Sequence, residues 1–252
     1  MQHATIGIVL AVIGFAMLAN SRFATLRPQF RSLRLAPDVR ARVLAALAAR
    51  EAVDDAMPRL TRVAGLMCLV CAALELVPQL PATIPFALYL VGYASAAGFI
   101  FMRVPAGRPP RVAILEVRHP GQILQPQVMA LCAIAALCTL VLVGVPGFEI
   151  SAVLATGAGL ALVAIAWWTT ASPARLLGDD LPTERFVDDR LRRIRVGTIA
   201  TMGGAAPLVL IGMAHVQTAV TGMAFGLAAV CTLVAIAMIL RQPAGSERPV
   251  DA

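Results

Sequence analysis

Three sets of side chains in this chain have types and spacings that chemistry uses: Cys68-Leu-Val-Cys71, the paired aspartates Asp54-Asp55, Asp179-Asp180 and Asp188-Asp189, and one carboxyl, Glu75, inside an apolar run. The C-x-x-C spacing suits thiol exchange or a metal knuckle, but both need an accessible thiolate and a strand-to-helix setting or a second cysteine pair. Here both thiols lie mid-run, as do Cys132, Cys138 and Cys231. They are expected to be small core residues, and no disulfide framework is expected. His3, His119 and His215 fall in different segments without ligand spacing, so no metal site and no cofactor are predicted.

Aspartates beside a membrane can hold Mg²⁺ and a diphosphate, because hard oxygen ligands bridge that ion to phosphate. That chemistry places acidic residues four apart on one helical face with an asparagine upstream, and neither acidic loop has this pattern. A local role fits better. Asp55 to Arg59, Asp188 to Arg192 and Asp189 to Arg193 are acid-then-base pairs at i,i+4, the favourable order on a solvated helix.

Glu75 is the only acidic residue within an apolar run. It stands thirteen residues beyond Arg62, which at ~1.5 Å per residue is roughly 20 Å across a bilayer core, just before Pro78. An intramembrane carboxyl is a functional candidate, and the bland alternative is a side chain that snorkels to the outer interface. Gly203-Gly204-Ala-Ala-Pro207 puts small residues and a proline in mid-helix, where a kink and a cavity are expected. Glu75, Gly203, Gly204 and Pro207 are therefore the candidate substrate or ion pathway. No catalytic residue is assigned.

Seven apolar runs must position these groups: about Ala4–Ala19, Val63–Val77, Ala82–Met102, Val128–Val145, Ile150–Trp168, Val196–His215 and Thr218–Leu240. Each is near the ~20 residues that cross a ~30 Å hydrocarbon core. All 21 basic residues are arginine, and all fall in 20–62, 103–127, 169–195 or the tail after Leu240, which leaves the alternate gaps without any. By the positive-inside rule the N-terminus is outside and the C-terminus cytoplasmic. The first run lacks preceding basic residues and is followed by Arg22, Arg27, Arg31 and Arg34, so it is expected to be a retained helix rather than a signal peptide. Trp167-Trp168 is expected to anchor the inner end of the fifth run.

The expected fold is an all-α membrane bundle of seven transmembrane helices in one domain, 1–252, with a short cytoplasmic tail, 241–252, expected to be disordered. Within the arginine-rich cytoplasmic loop 20–62, Pro37 and Asp38 start a helix that runs to about residue 56. Val39, Val43, Leu44 and Leu47 form its apolar stripe, opposed by Arg40, Arg42 and Arg50, so it is expected to lie along the inner membrane surface or to dock a partner. Val53-Asp54-Asp55 resembles Val187-Asp188-Asp189, and Val63, Val128 and Val196 stand 65 and 68 residues apart. One leading helix followed by three tandem hairpins, in parallel repeat, is the arrangement this suggests.

A hydrophobic fraction of 59% exceeds that of soluble domains, where about half the residues are apolar. The net charge of +7 is spread over every inner loop, which suits anionic lipid headgroups and not nucleic acid. Arginine without lysine, short loops and no large soluble domain point to a bacterial cytoplasmic (inner) membrane. A small-solute or ion transporter, not an enzyme, is the leading expectation. A non-catalytic structural or accessory subunit of a larger complex comes next, with a homo-oligomer or a partner membrane subunit as company, and a lipid- or prenyl-modifying enzyme third.

The arginine pattern makes a direct prediction. In a variant lacking the native cysteines, Gln79→Cys and Glu149→Cys should react with an impermeant maleimide on intact cells, whereas Arg108→Cys should not. Labelling of Arg108→Cys from outside would refute the topology.

Overall fold

The computed structural model describes residues 2–20, 35–53, 56–77, 80, 83–102, 150–171, 180–214, 223–224, 226–230 and 232–233. Among them there is no strand. The helices are α1 (Gln2–Asn20), α2 (Pro37–Val53), α3 (Ala56–Leu74), α4 (Thr83–Met102), α5 (Ile150–Ala171) and α6 (Leu181–Ala214), and the described residues within 223–233 are helical too. Ala56–Leu74, Thr83–Phe101 and Val153–Thr170 are long and apolar enough to span a membrane, and Gly7–Ala19 is a shorter apolar helix. The run Val128–Val145, most of Thr218–Leu240 and the tail 241–252 lie outside the described residues, and with them the complete second and third hairpins of the expected repeat.

These helices pack in chain order, α1 on α3, α3 on α4, α4 on α5 and α5 on α6, with α6 also reaching α4. Their register follows from individual contacts. Gly14 meets Gly65 while Gly7 meets Ala72 and Glu75, so α1 and α3 are antiparallel. Gly92 meets Met67 and the Pro85 carbonyl meets Cys71, so α3 and α4 are antiparallel as well. The guanidinium of Arg195 sits 5.9 Å from the centroid of the Phe101 ring, and Arg192 reaches the Thr169 carbonyl. The start of α3 and the ends of α4 and α5 therefore share one end of the bundle with Arg192 and Arg195. Glu75 is at the opposite end.

Small residues let the helices approach closely, as they do where lipid offers no hydrophobic drive between spans. Alanines fill much of the interface, among them Ala64, Ala87, Ala94, Ala97, Ala155, Ala158 and Ala166. Backbones also approach closely between α5 and α6. Proline at 207 has no N–H and so withdraws the helical donor that the carbonyl of Gly203 would otherwise have. That carbonyl faces Gly159: a Cβ there would stand 2.7 Å from the Gly203 oxygen and 2.6 Å from Cγ of Pro207. The fit is reciprocal, since a Cβ at Gly203 would stand 2.8 Å from the Gly159 oxygen. The helix α6 runs unbroken through Pro207 for 34 residues. The small residues expected to line a kinked pathway are thus engaged in helix packing at Gly203 and Pro207.

The amphipathic helix forms where the Pro37 start signal places it, but its stripe does not face the bilayer. Val39, Val43 and Leu47 are buried against Phe186, Val187, Leu191 and Ile194 of α6, with Leu44 partly buried beside them. The physical reason lies in α6, which continues 15 residues before Val196 as a second amphipathic segment with a matching apolar face. Each stripe is the other's cover. Arg50, expected on the polar face, is buried at this junction.

Substitutions at the α5 glycines should separate packing from propensity. Gly159→Ala forces a shift of backbone or of the Pro207 ring and should cost about 1–3 kcal/mol, whereas Gly157, with nothing within 4 Å of an added Cβ, should accept alanine without loss. Thermal unfolding of the two variants in detergent checks this, and equal stability would remove the close crossing as a stabilising element.

Candidate functional site

Cys68, Cys71 and Glu75 stand at i, i+3 and i+7, a spacing that puts all three on one face of a helix. The face is buried; α4 covers its two cysteines and α1 meets Glu75. Cys71 donates its Sγ–H to the Pro85 carbonyl at 2.9 Å, and the Tyr89 hydroxyl donates to the Cys68 sulfur. Phe86, Tyr89 and Tyr93 recur on one side of α4, their rings stacked at centroid distances of 6.4 and 6.1 Å. The thiol of Cys71 lies within electrostatic reach of both the Glu75 carboxyl and Cys68. A row of protic groups thus runs inward from Glu75 between two apolar helices. Both described cysteines are free and buried, as expected of core residues.

Glu75 occupies the first residue past α3. Its N–H donates to the Cys71 carbonyl at 3.0 Å, and Leu76 and Val77 close tighter turns onto Ala73 and Leu74. Leu76 is 69% exposed, but Glu75 is only 4% exposed. It is held where α3 ends against α1, with its Cβ and the Ala72 carbonyl facing Gly7, whose missing Cβ leaves the room.

The other members of the expected pathway lie elsewhere. Gly203, Gly204 and Pro207 are buried in α6, where Gly203 and Pro207 meet Gly159 of α5. The main packing partners of α3 are α1 and α4, so Glu75 and the Gly203–Pro207 segment are not brought together. Trp167 and Trp168 are exposed at the end of α5. Residues that sequence reasoning did not select are Tyr89 and Tyr93, which carry no spacing signal until α3 and α4 are paired.

A second polar cluster lies at the arginine-bearing end. Asp188 is 2% exposed and accepts hydrogen bonds from Arg50 of α2 and, at 2.7 Å, from Nε of Arg192. Arg50 also approaches Glu184 at 3.9 Å, and Arg192 donates to the Thr169 carbonyl at 3.2 Å. The expected i,i+4 pair Asp188 to Arg192 is present, but it is buried rather than solvated. Asp180 caps α6, accepting from the Thr183 N–H at 3.3 Å, and lies 3.7 Å from Arg42. Burial lowers the pKa of the Arg190 guanidinium, since desolvation disfavours its charge. Asp54, Asp55 and Asp179 lie outside the described residues, and so do His119, His215, Cys132, Cys138 and Cys231. Among the described residues, no cluster of three or more histidine, cysteine or acidic side chains is placed to hold a metal.

Comparison with known proteins adds no relative: no family model, no curated protein and no solved structure matches the chain.

The buried cluster predicts strong coupling between helices that are far apart in sequence. Asp188→Ala and Arg50→Ala should each lower stability by about 3–5 kcal/mol, because each takes a hydrogen-bonded counter-charge away from a buried charged group. The double variant should lose clearly less than the sum of the two. Additive losses in thermal unfolding would show that the two side chains do not act together.

Proposed function

We propose that the chain is a multi-pass protein of a bacterial cytoplasmic membrane, with the N-terminus outside and the arginine-bearing end of the bundle in the cytoplasm, and that it moves a small solute or ion. The common location of Arg59, Arg62, Arg192 and Arg195 at one end of the described bundle supports the orientation, since arginine is retained on the cytoplasmic side and meets anionic headgroups there. One observation carries the transport reading: the Glu75 carboxyl is buried at the far end of α3, in continuity with the protic row of Cys71, Cys68 and Tyr89. A buried carboxyl inside a span is costly to keep and is a functional element by default. Gly203, Gly204 and Pro207 belong to this proposal through α6, which Gly203 and Pro207 seat against α5.

A specific observation favours a second reading, a structural or accessory subunit. The reciprocal glycine contacts, Gly14 with Gly65 and Gly159 with Gly203, serve helix packing, and a scaffold needs nothing more of them. The lipid- or prenyl-modifying enzyme gains no support, because Asp180 caps a helix and Asp188 is enclosed by arginines.

Flux of a panel of ions and small solutes through proteoliposomes separates the readings. The wild-type protein should move at least one of them, and Glu75→Gln, which removes the titratable charge and keeps the volume, should abolish that flux with expression and monodispersity preserved. Full flux in Glu75→Gln would eliminate the residue's role. A wild type that moves nothing and co-purifies with a stoichiometric membrane partner would favour the accessory subunit.

A further inference from the structure

We propose that Met67, Cys68 and Cys71 form a sulfur site for a soft monovalent metal ion, of the Cu⁺ and Ag⁺ class, in the seam between α3 and α4. The three positions fall within little more than one turn of α3, with Cys71 at i+3 from Cys68 and i+4 from Met67, so the side chains leave the helix on one side. Contacts with α4 show where they point. Cys71 meets the Pro85 carbonyl and Cys68 meets the Tyr89 hydroxyl. Met67 meets Gly92, whose missing Cβ leaves room for the thioether: a Cβ there would stand 3.0 Å from its sulfur. The two thiols lie within electrostatic reach of each other. Three sulfur donors are therefore gathered in one apolar seam. Met67 carries no spacing signal, and only the α3–α4 register adds it to the cysteine pair.

Donor type decides the ion. Thiol and thioether sulfurs are soft and select Cu⁺ and its heavier congener Ag⁺, whereas Mg²⁺ and Ca²⁺ take several hard oxygens and Zn²⁺ takes a fourth donor and rarely a thioether. A monovalent ion also needs only one thiolate. On binding, a sulfur–metal bond forms at Cys71 as its S–H bond breaks, the proton leaves to water, and the sulfurs of Cys68 and Met67 coordinate as neutral donors. No electron is transferred, and the three side chains with their ion carry no net charge, as an apolar seam requires. The Glu75 carboxyl lies within electrostatic reach of Cys71, so the sulfur site is the inner part of the row that begins at Glu75. The site stands on its own geometry, and the role of the ion rests on the transport reading: it is the species moved.

The test uses the full-length chain in detergent and chloride-free buffer, with Cys132, Cys138 and Cys231 changed to alanine so that Cys68 and Cys71 are the only thiols. Ag⁺ is the probe. After desalting, elemental analysis should find stoichiometric Ag⁺ on the protein, undisturbed by excess Mg²⁺ or Ca²⁺. Cys68→Ser and Cys71→Ser should each lose it with the fold kept, since a serine hydroxyl can still accept from Tyr89 or donate to the Pro85 carbonyl. Met67→Leu, a swap of similar volume, should weaken binding, and Tyr89→Phe, which removes the hydrogen bond to Cys68, should weaken it about tenfold. Ag⁺ held equally by either serine variant or by Met67→Leu, or not held by the folded protein at all, overturns the site. A second arm follows Ag⁺ entry into proteoliposomes, expected for the parent and lost in Cys71→Ser. Bound Ag⁺ without entry keeps the site and sinks transport. Flux of another solute by a protein that binds no Ag⁺ keeps transport and sinks the site.

Discussion

A single carboxylate, Asp188, ties the arginine-bearing end of the molecule together. A buried carboxylate is tolerated only when its charge is met and its lone pairs are filled, and removing one partner from such a pair is far more costly than never forming it. Asp188 meets this demand with Arg50 from a helix 138 residues away in sequence and with Arg192 one turn along its own helix. Arg192 then reaches the Thr169 carbonyl, one of the last carbonyls of α5, which lack helical donors and carry the negative end of the helix dipole. One side chain therefore fixes α2 to α6, and through Arg192 it fixes both to α5. The apolar stripe of α2 supplies area for this junction, and the ions supply its register.

Within the spans a different constraint operates. Lipid is as apolar as leucine, so burying more hydrocarbon between helices gains little, and close approach of backbones has to provide the contact. The two glycine crossings achieve it in the same reciprocal way, carbonyl of one helix over the α-carbon of the other. At the α5–α6 crossing the proline adds to the effect. By withdrawing a donor from the Gly203 carbonyl it directs that oxygen toward Gly159, so a residue usually taken to weaken a helix here joins two of them.

Much of this was legible in the residues. The starts of α2, α4 and α5 fall within one residue of the positions that Pro37 and the apolar runs mark, because helix start signals and hydropathy are local properties. The start of α3 was not. It begins at Ala56, ahead of the apolar run at Val63, since its first turns carry Arg59 and Arg62 and hydropathy does not count them. The partner of the α2 stripe was also hidden: an amphipathic stripe states that an apolar cover exists, and α6 and a membrane surface satisfy the pattern equally. Arg50 was misplaced for the same reason, because its burial depends on an acid far away in the chain. Gly203 and Pro207 were recognisable as unusual, but a kinked pathway and a close crossing require the same residues. Tyr89 and Tyr93 became part of a site only when the α3–α4 register set them beside the cysteines.

Two of the buried carboxyls among the described residues, Asp188 and Glu75, illustrate how position decides what a group can do. Asp188 lies where arginines are plentiful, and two guanidinium groups meet it with directional hydrogen bonds, so its loss would unfasten three helices. Such a group is suited to fixing geometry. Glu75 lies at the opposite end, where α3 gives out, beside a thiol, a backbone carbonyl and a glycine that makes room for it. Its removal disturbs one helix end rather than a junction of three. A chain that keeps a carboxyl in that setting, when glutamine or leucine would pack there with less desolvation cost, retains it at the expense of stability. That expense is the physical reason to seek the function of this protein at Glu75 and its mechanical support at Asp188.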